Sequence, residues 1–154
     1  MEEFIVLDDS YLDQMALLYS NAFRGDKYLK TVTIGSNVTV IGNNAFYGCP
    51  LLTKVSGGAR LKTIGANAFA RCPKLSSFTI TSKVLSKIGT YAFAKDSRLK
   101  TISIKNTTKL SKKGVKKSLK SSKIKTVKVK KSKVGKYRKY FTKKNCGRRV
   151  KVKK

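Results

Sequence analysis

The residues in this chain with any capacity for covalent or acid–base chemistry are few. Cys49 and Cys72 stand at equivalent places one repeat apart, and Cys146 lies alone near the end. There is no histidine. Past the N-terminal segment only two carboxylates remain, Asp26 and Asp96, about three repeats apart. A general acid–base pair must reach one substrate within hydrogen-bonding distance, and two carboxylates so separated along a stack do not. Metal sites need clustered His, Cys or carboxylate ligands. Gly57-Gly58 reads as a turn, and no glycine-rich phosphate loop precedes a helix. The chain is therefore expected to be no enzyme, with no cofactor, no metal and no small-molecule substrate. Two readings of the thiol pair stay open. Adjacent strands lie about 4.8 Å apart and a disulfide spans about 4.4–6.8 Å between Cα atoms, so a bridge fits. Two buried free thiols filling core space fit as well. Cys146, as a cap residue, is expected to be the thiol most open to oxidation between molecules.

What remains is non-covalent chemistry from hydroxyls and cations. Thr31, Lys54, Ser77, Thr101 and Thr126 form one row of aligned positions, and Thr33, Ser56, Thr79, Ser103 and Lys128 the next. In a strand, successive side chains alternate faces, so both rows are expected on the solvent side of a sheet. Thr31, Thr33, Ser77, Thr79, Thr101 and Ser103 are the candidate partner-binding face. The alternative is a soluble, β-favouring face with no partner. The cations concentrate at the other end. Residues 105–154 hold 23 of the 36 Lys and Arg and no acid, within a net charge of +29. Lys116, Lys117, Lys128, Lys130, Lys131, Arg138, Arg148 and Arg149 are the candidate polyanion contacts. They could serve as a solvated cap, hold the protein against an anionic cell-wall polymer or membrane surface, or bind nucleic acid through phosphate attraction. Lys outnumbers Arg here, which disfavours base-specific reading.

A repeat must position all of these groups. Ile41-Gly42-Asn43-Asn44-Ala45-Phe46 returns as Ile64-Gly65-Ala66-Asn67-Ala68-Phe69 and as Ile88-Gly89-Thr90-Tyr91-Ala92-Phe93. A looser copy holds Ala22-Phe23. The Ala-Phe pairs thus recur about every 23 residues, a period of solenoid repeats. Before each lies an alternating segment such as Leu29-Lys30-Thr31-Val32-Thr33-Ile34 or Leu99-Lys100-Thr101-Ile102-Ser103-Ile104, which reads as a half-buried strand. A unit this small cannot bury an apolar face alone, so stacking is required. It should align Leu29, Leu52, Leu75, Leu99 and Ile124 in one column, Phe23, Phe46, Phe69 and Phe93 in a second, and Leu18, Ile41, Ile64 and Ile88 in a third. Gly42, Gly65 and Gly89 mark turns where a Cβ is expected to clash. The Ala-Phe segment is expected to close each coil as a helical turn.

Residues 1–17 read as an N-terminal cap or partial repeat, with Phe4-Ile5-Val6-Leu7 as a strand and Met15 aligned with Val38. Residues 18–130 read as the solenoid, its last copy eroded, with Ser118-Leu119 standing for Ala-Phe. Residues 131–154 read as a basic cap. There Val134, Tyr137, Tyr140 and Phe141 fall on one face of a short helix, Gly147 stops it, and Val150-Lys151-Val152 forms a closing strand.

The pattern Ile-Gly-x-x-Ala-Phe-x-x-Cys-x-x-Leu followed by Thr-Val-x-Ile resembles the BspA-type leucine-rich repeats of bacterial surface proteins. The Lys-rich end resembles the C-terminal cap of such proteins in gut Gram-positive bacteria. The resemblance implies a mainly β, right-handed leucine-rich-repeat β-solenoid of about four to five coils, with short helical turns and a small helix-strand cap. It also implies a non-catalytic, adhesion-type role at a cell surface or after secretion, with a protein or glycan as partner; the basic segment itself supplies the alternative, a polyanion. A monomer is expected. Glu2 and Glu3 stand where a signal peptide would be basic, so the expectation is either a protein that stays inside the cell or a mature or excised piece of a longer secreted chain. Asp26 and Asp96 replace the Cys of the pattern, so a cysteine column would be two rungs tall.

Overall fold

The computed structural model describes residues 3–7, 17–104 and 106–154, and within 3–7 the backbone course alone. Met15, Glu2, Asp8, Asp9 and Asp13 lie outside the described residues. The strands, in chain order, are β1 (Glu3–Leu7), β2 (Leu17–Leu18), β3 (Leu29–Ile34), β4 (Val40–Ile41), β5 (Lys54–Gly57) and β6 (Thr63–Ile64). They continue as β7 (Ser77–Ile80), β8 (Lys87–Ile88), β9 (Thr101–Ile104), β10 (Thr126–Val129) and β11 (Lys151–Lys153). Two short α-helices, α1 (Val134–Arg138) and α2 (Lys143–Cys146), lie between β10 and β11.

The strands form two sheets. A seven-stranded sheet runs β1-β3-β5-β7-β9-β10-β11, and a four-stranded sheet of two-residue strands runs β2-β4-β6-β8. All the pairings are parallel. Each coil from β1 to β8 contributes one strand to each sheet, while β9, β10 and β11 extend the large sheet alone; this is the solenoid expected from the 23-residue period.

The Ala-Phe segment, expected as a helical turn, is a pair of tight turns that also makes a third ladder. The N–H groups of Asn44, Phe46 and Gly48 donate to the carbonyls of Ala66, Ala68 and Ala70 at 2.9, 2.8 and 2.9 Å. Because alternate N–H groups serve the next coil, they are not available to a helix. Two residues per segment take the left-handed conformation that allows this: Asn44 and Gly48, Asn67 and Arg71, Tyr91 and Lys95, Lys117 and Ser121. The last pair places Leu119, fully buried, in the position of Phe93.

The three expected columns are the core. Leu29, Leu52, Leu75, Leu99 and Ile124 are fully buried, as are Ile41, Ile64 and, within 1%, Ile88. Phe23 and Phe46 stack with centroids 5.4 Å apart, Phe46 and Phe69 at 5.1 Å, and Phe69 and Phe93 at 6.0 Å. Phe78, from the sheet, meets Phe69 and Phe93 edge-on at 5.1 and 4.8 Å. The column leucine stands at the corner, so β5, β7, β9 and β10 each begin two residues after it. A Cβ on Gly65 would lie 2.6 Å from the backbone nitrogen of Asn43, and one on Gly89 would meet the backbone of Gly65 and Ala66. These glycines allow close approach between coils.

The C-terminal cap closes the stack. Tyr137 and Phe141 are buried, and the Tyr137 hydroxyl donates to the Thr107 carbonyl at 3.3 Å. The single expected helix is two, because Thr142 starts a new one: its hydroxyl accepts from the Asn145 N–H at 3.2 Å. Gly147, at φ 84°, ends α2. The N–H groups of Lys117 and Leu119 donate to the carbonyls of Asn145 and Cys146, so α2 continues the turn ladder by one more rung.

Candidate interaction surface

Strand register sets the geometry of the outer face of the large sheet. Thr31 pairs with Lys54 and Lys54 with Ser77; Thr33 pairs with Ser56 and Ser56 with Thr79. Thr79 pairs with Ser103, Ser103 with Lys128, and Thr101 with Thr126. Lys151 and Lys153 extend the two rows. The residues between them, Val32, Ile34, Val55, Phe78, Ile80, Ile102, Ile104, Val127 and Val129, point inward and are buried. Alternation therefore puts all six candidate hydroxyls on one outer face. Thr33, Ser77 and Thr79 are exposed, and Thr31, Thr101 and Ser103 are half-buried.

Several hydroxyls elsewhere behave differently, a distinction that residue type does not reveal, although Ser118 is buried with no partner among the described residues. At the coil corners they donate to the previous coil: Thr53 to the Lys30 carbonyl at 2.9 Å, Thr81 to Gly57 at 3.1 Å, Ser86 to Lys62 at 3.1 Å and Thr108 to Lys83 at 3.1 Å. Buried Ser82 and Thr107 donate likewise at 2.6 and 2.9 Å. None of the six hydroxyls on the sheet face bonds to another described residue. Ser77, Thr79, Thr101 and Ser103 line a shallow hollow of about 440 Å³ together with Lys128.

The eight candidate cations do not converge. Lys128 stands on the sheet face. Lys116 lines a different hollow, beside β8, and Lys117 lies exposed in the turn ladder. Lys130 and Lys131 are exposed just after β10, and Arg138 ends α1. Arg148 and Arg149 line a third hollow with Lys143 and Gly147. Arg148 is partly structural, because its Nε donates to the Ile124 carbonyl at 2.6 Å. Tyr137 and Phe141 are buried, so they offer no platform to a stacked base.

The thiols are free and buried. Cys49 and Cys72 donate to the carbonyls of Phe23 and Phe46, both at 3.1 Å, so each closes the turn of the coil before it. The Cys49 sulfur beside Cys72, then burial, then the charge of Asp96 push the Cys72 thiol up. Cys146, expected to be open to oxidation, is fully buried, and its thiol contacts the carbonyls of Thr142 and Arg148 at 3.1 Å. Burial pushes it up as well. The cap folds over this residue instead of presenting it.

Asp26 and Asp96 share a repeat position with different outcomes. Asp26 Oδ1 accepts from the N–H groups of Tyr28 and Leu29 at 2.8 and 2.9 Å. Asp96 is fully buried; its Oδ1 accepts from the Cys72 N–H at 2.8 Å, and its Oδ2 has no partner among the described residues. Burial raises its pKa to about 8, against the lowering effect of that one bond. Among the described residues no group of three or more His, Cys, Asp or Glu could hold a metal ion.

Stacked coils with a parallel sheet along one side and turns along the others define a leucine-rich-repeat solenoid. The family model described as BspA type leucine rich repeat region matches residues 17–146 in six copies, and the chain belongs to that family. The matched span ends at Cys146 in the cap, where α2 supplies one more rung of the turn ladder. Among solved structures the chain is similar to a leucine-rich repeat protein from Bacteroides ovatus ATCC 8483, with a TM-score of 0.57 and 22% identity. The alignment covers 99% of this chain and 42% of that one, so this chain spans less than half the length of its structural relative. A search of curated proteins found no significant match.

Proposed function

We propose that the protein is a non-catalytic binding module, acting at a cell surface or after secretion. It grips a protein or glycan through the outer face of the seven-stranded sheet. One observation carries this reading. Thr53, Thr81, Ser86 and Thr108 at the corners and Ser82 and Thr107 in the core are tied to the previous coil, whereas the six in the sheet rows bond to no other described residue. Leucine-rich repeats of this kind are general interaction modules, and open sheet faces of stacked repeats serve that use. No helix among the described residues is long and apolar enough to cross a membrane.

The test replaces Thr31, Thr79 and Thr101 by Glu together. Binding to immobilised matrix proteins and glycans is then measured beside the unaltered protein, which is proposed to be a monomer. The variant should lose binding by more than about tenfold with its circular dichroism unchanged. Unchanged binding would count against the sheet face.

A second reading has its own support: no acid follows Asp96 in the sequence, so the basic end carries no counter-charge of its own. On that reading a polyanion binds through residues 105–154 by long-range attraction. Binding that disappears at about 0.5 M salt, where screening is severe, and is only weakened by the triple Glu replacement favours it. Binding that persists favours the sheet face.

A further inference from the structure

The hydroxyl rows and the cations, separate in the sequence, meet on one surface. Thr79, Ser103, Lys128 and Lys153 follow one another in a single row across β7, β9, β10 and β11. Beside it, Thr101, Thr126 and Lys151 do the same. At about 4.8 Å per strand, hydroxyl gives way to ammonium over roughly 14 Å. The hollow on this face has five hydroxyl residues along it, Ser76, Ser77, Thr79, Thr101 and Ser103, and Lys128 at its C-terminal side.

We propose that this face takes an acidic glycan, lying across the strands with its hydroxyls on Ser77, Thr79, Thr101 and Ser103 and its carboxylate or sulfate groups on Lys128, Lys151 and Lys153. The proposal rests on the sheet face being the binding surface and adds the ligand class. The unbonded hydroxyls both donate and accept, which matches the hydroxyls of a sugar. The lysines call for an anion because the sequence beyond Asp96 supplies none. Asp96 itself is buried and held toward its neutral form. A nucleic acid fits less well. Single-strand binding uses aromatic platforms, and the two rows from β3 to β11 contain no aromatic residue. An acidic protein would want buried aromatic or Arg anchors in pockets, which these rows also lack.

The test titrates the full chain with galacturonic acid oligomers, a sulfated heparin fragment, neutral dextran, polyglutamate and single-stranded DNA at about 0.1 M salt, near one Debye length of 10 Å. At least one acidic glycan should bind more tightly than polyglutamate or DNA, and dextran should not bind measurably. The carboxylated and sulfated arms identify which acid group is read. Lys128→Ser should weaken the glycan by about tenfold, the loss of one charge-assisted contact. Ser103→Ala should weaken it about two- to threefold. Lys144→Ser, exposed on α2, should stay within about twofold. Equal losses in Lys128→Ser and Lys144→Ser would overturn the proposal, as would DNA or polyglutamate binding as tightly as either glycan. Absence of acidic-glycan binding overturns the ligand class alone, because the Glu triple variant tests the face with other partners.

Discussion

Phe69 lies between Phe46 and Phe93, with Phe78 against its edge. Removing it opens a cavity in the middle of the column. Phe69→Ala should cost about 3–5 kcal/mol in denaturant unfolding. Asp96 makes stability depend on pH. Its carboxyl holds its proton more tightly in the fold than in the unfolded chain, with a pKa near 8 against the ordinary 3.8. The folded state therefore gains most where the group is protonated. That advantage fades as pH rises from about 4 to about 8, where burial of the charge takes full effect. Asp96→Asn keeps the acceptor for the Cys72 N–H and removes the charge. Thermal melts from pH 5 to 8.5 should show the difference between variant and wild type growing with pH in favour of the variant. Equal slopes would mean that the carboxyl is not buried as described. Lys95 is left-handed at φ 66°, where the equivalent residues of earlier coils include Gly25 and Gly48. Lys95→Gly should stabilise the fold by about 1 kcal/mol by relieving this conformation.

Among the elements, the long strands and the columns were legible because their signals are periodic and apolar. Val32, Val55, Phe78, Ile102 and Val127 alternate with polar residues in every coil, and alternation fixes both face and register. The turn segment was less legible. Asn44 and Asn67 hint at left-handed backbone, but Arg71, Tyr91 and Lys95 adopt it with no such hint, held there by bonds to the next coil. The role of a hydroxyl was also hidden, since Thr53 at a corner and Thr79 on a face differ only in what the neighbouring coil offers. Cys146 misled for a related reason: its burial depends on the path of α2, which begins at the Thr142 cap. Thr142→Ala should cost about 1 kcal/mol, the usual worth of such a cap, and should speed alkylation of Cys146 by an added thiol reagent. An unchanged alkylation rate would show that the cap shields this thiol by other means.

For the whole molecule, two properties follow from a stack this basic. With a net charge of +29, self-repulsion works against the compact state. Raising NaCl from about 20 mM to about 0.5 M should therefore raise the melting temperature. The second property is modularity, since each coil touches chiefly its neighbours. Excising residues 52–74 removes one complete coil and joins Leu51 to Leu75, bringing Phe46 onto Phe93 and the Asn44 N–H onto the Thr90 carbonyl. The shortened chain should fold with the same β-rich circular dichroism per residue and one cooperative, lower-temperature melt. A chain that instead loses its β signal or its cooperative transition would contradict the equivalence of the stacked coils.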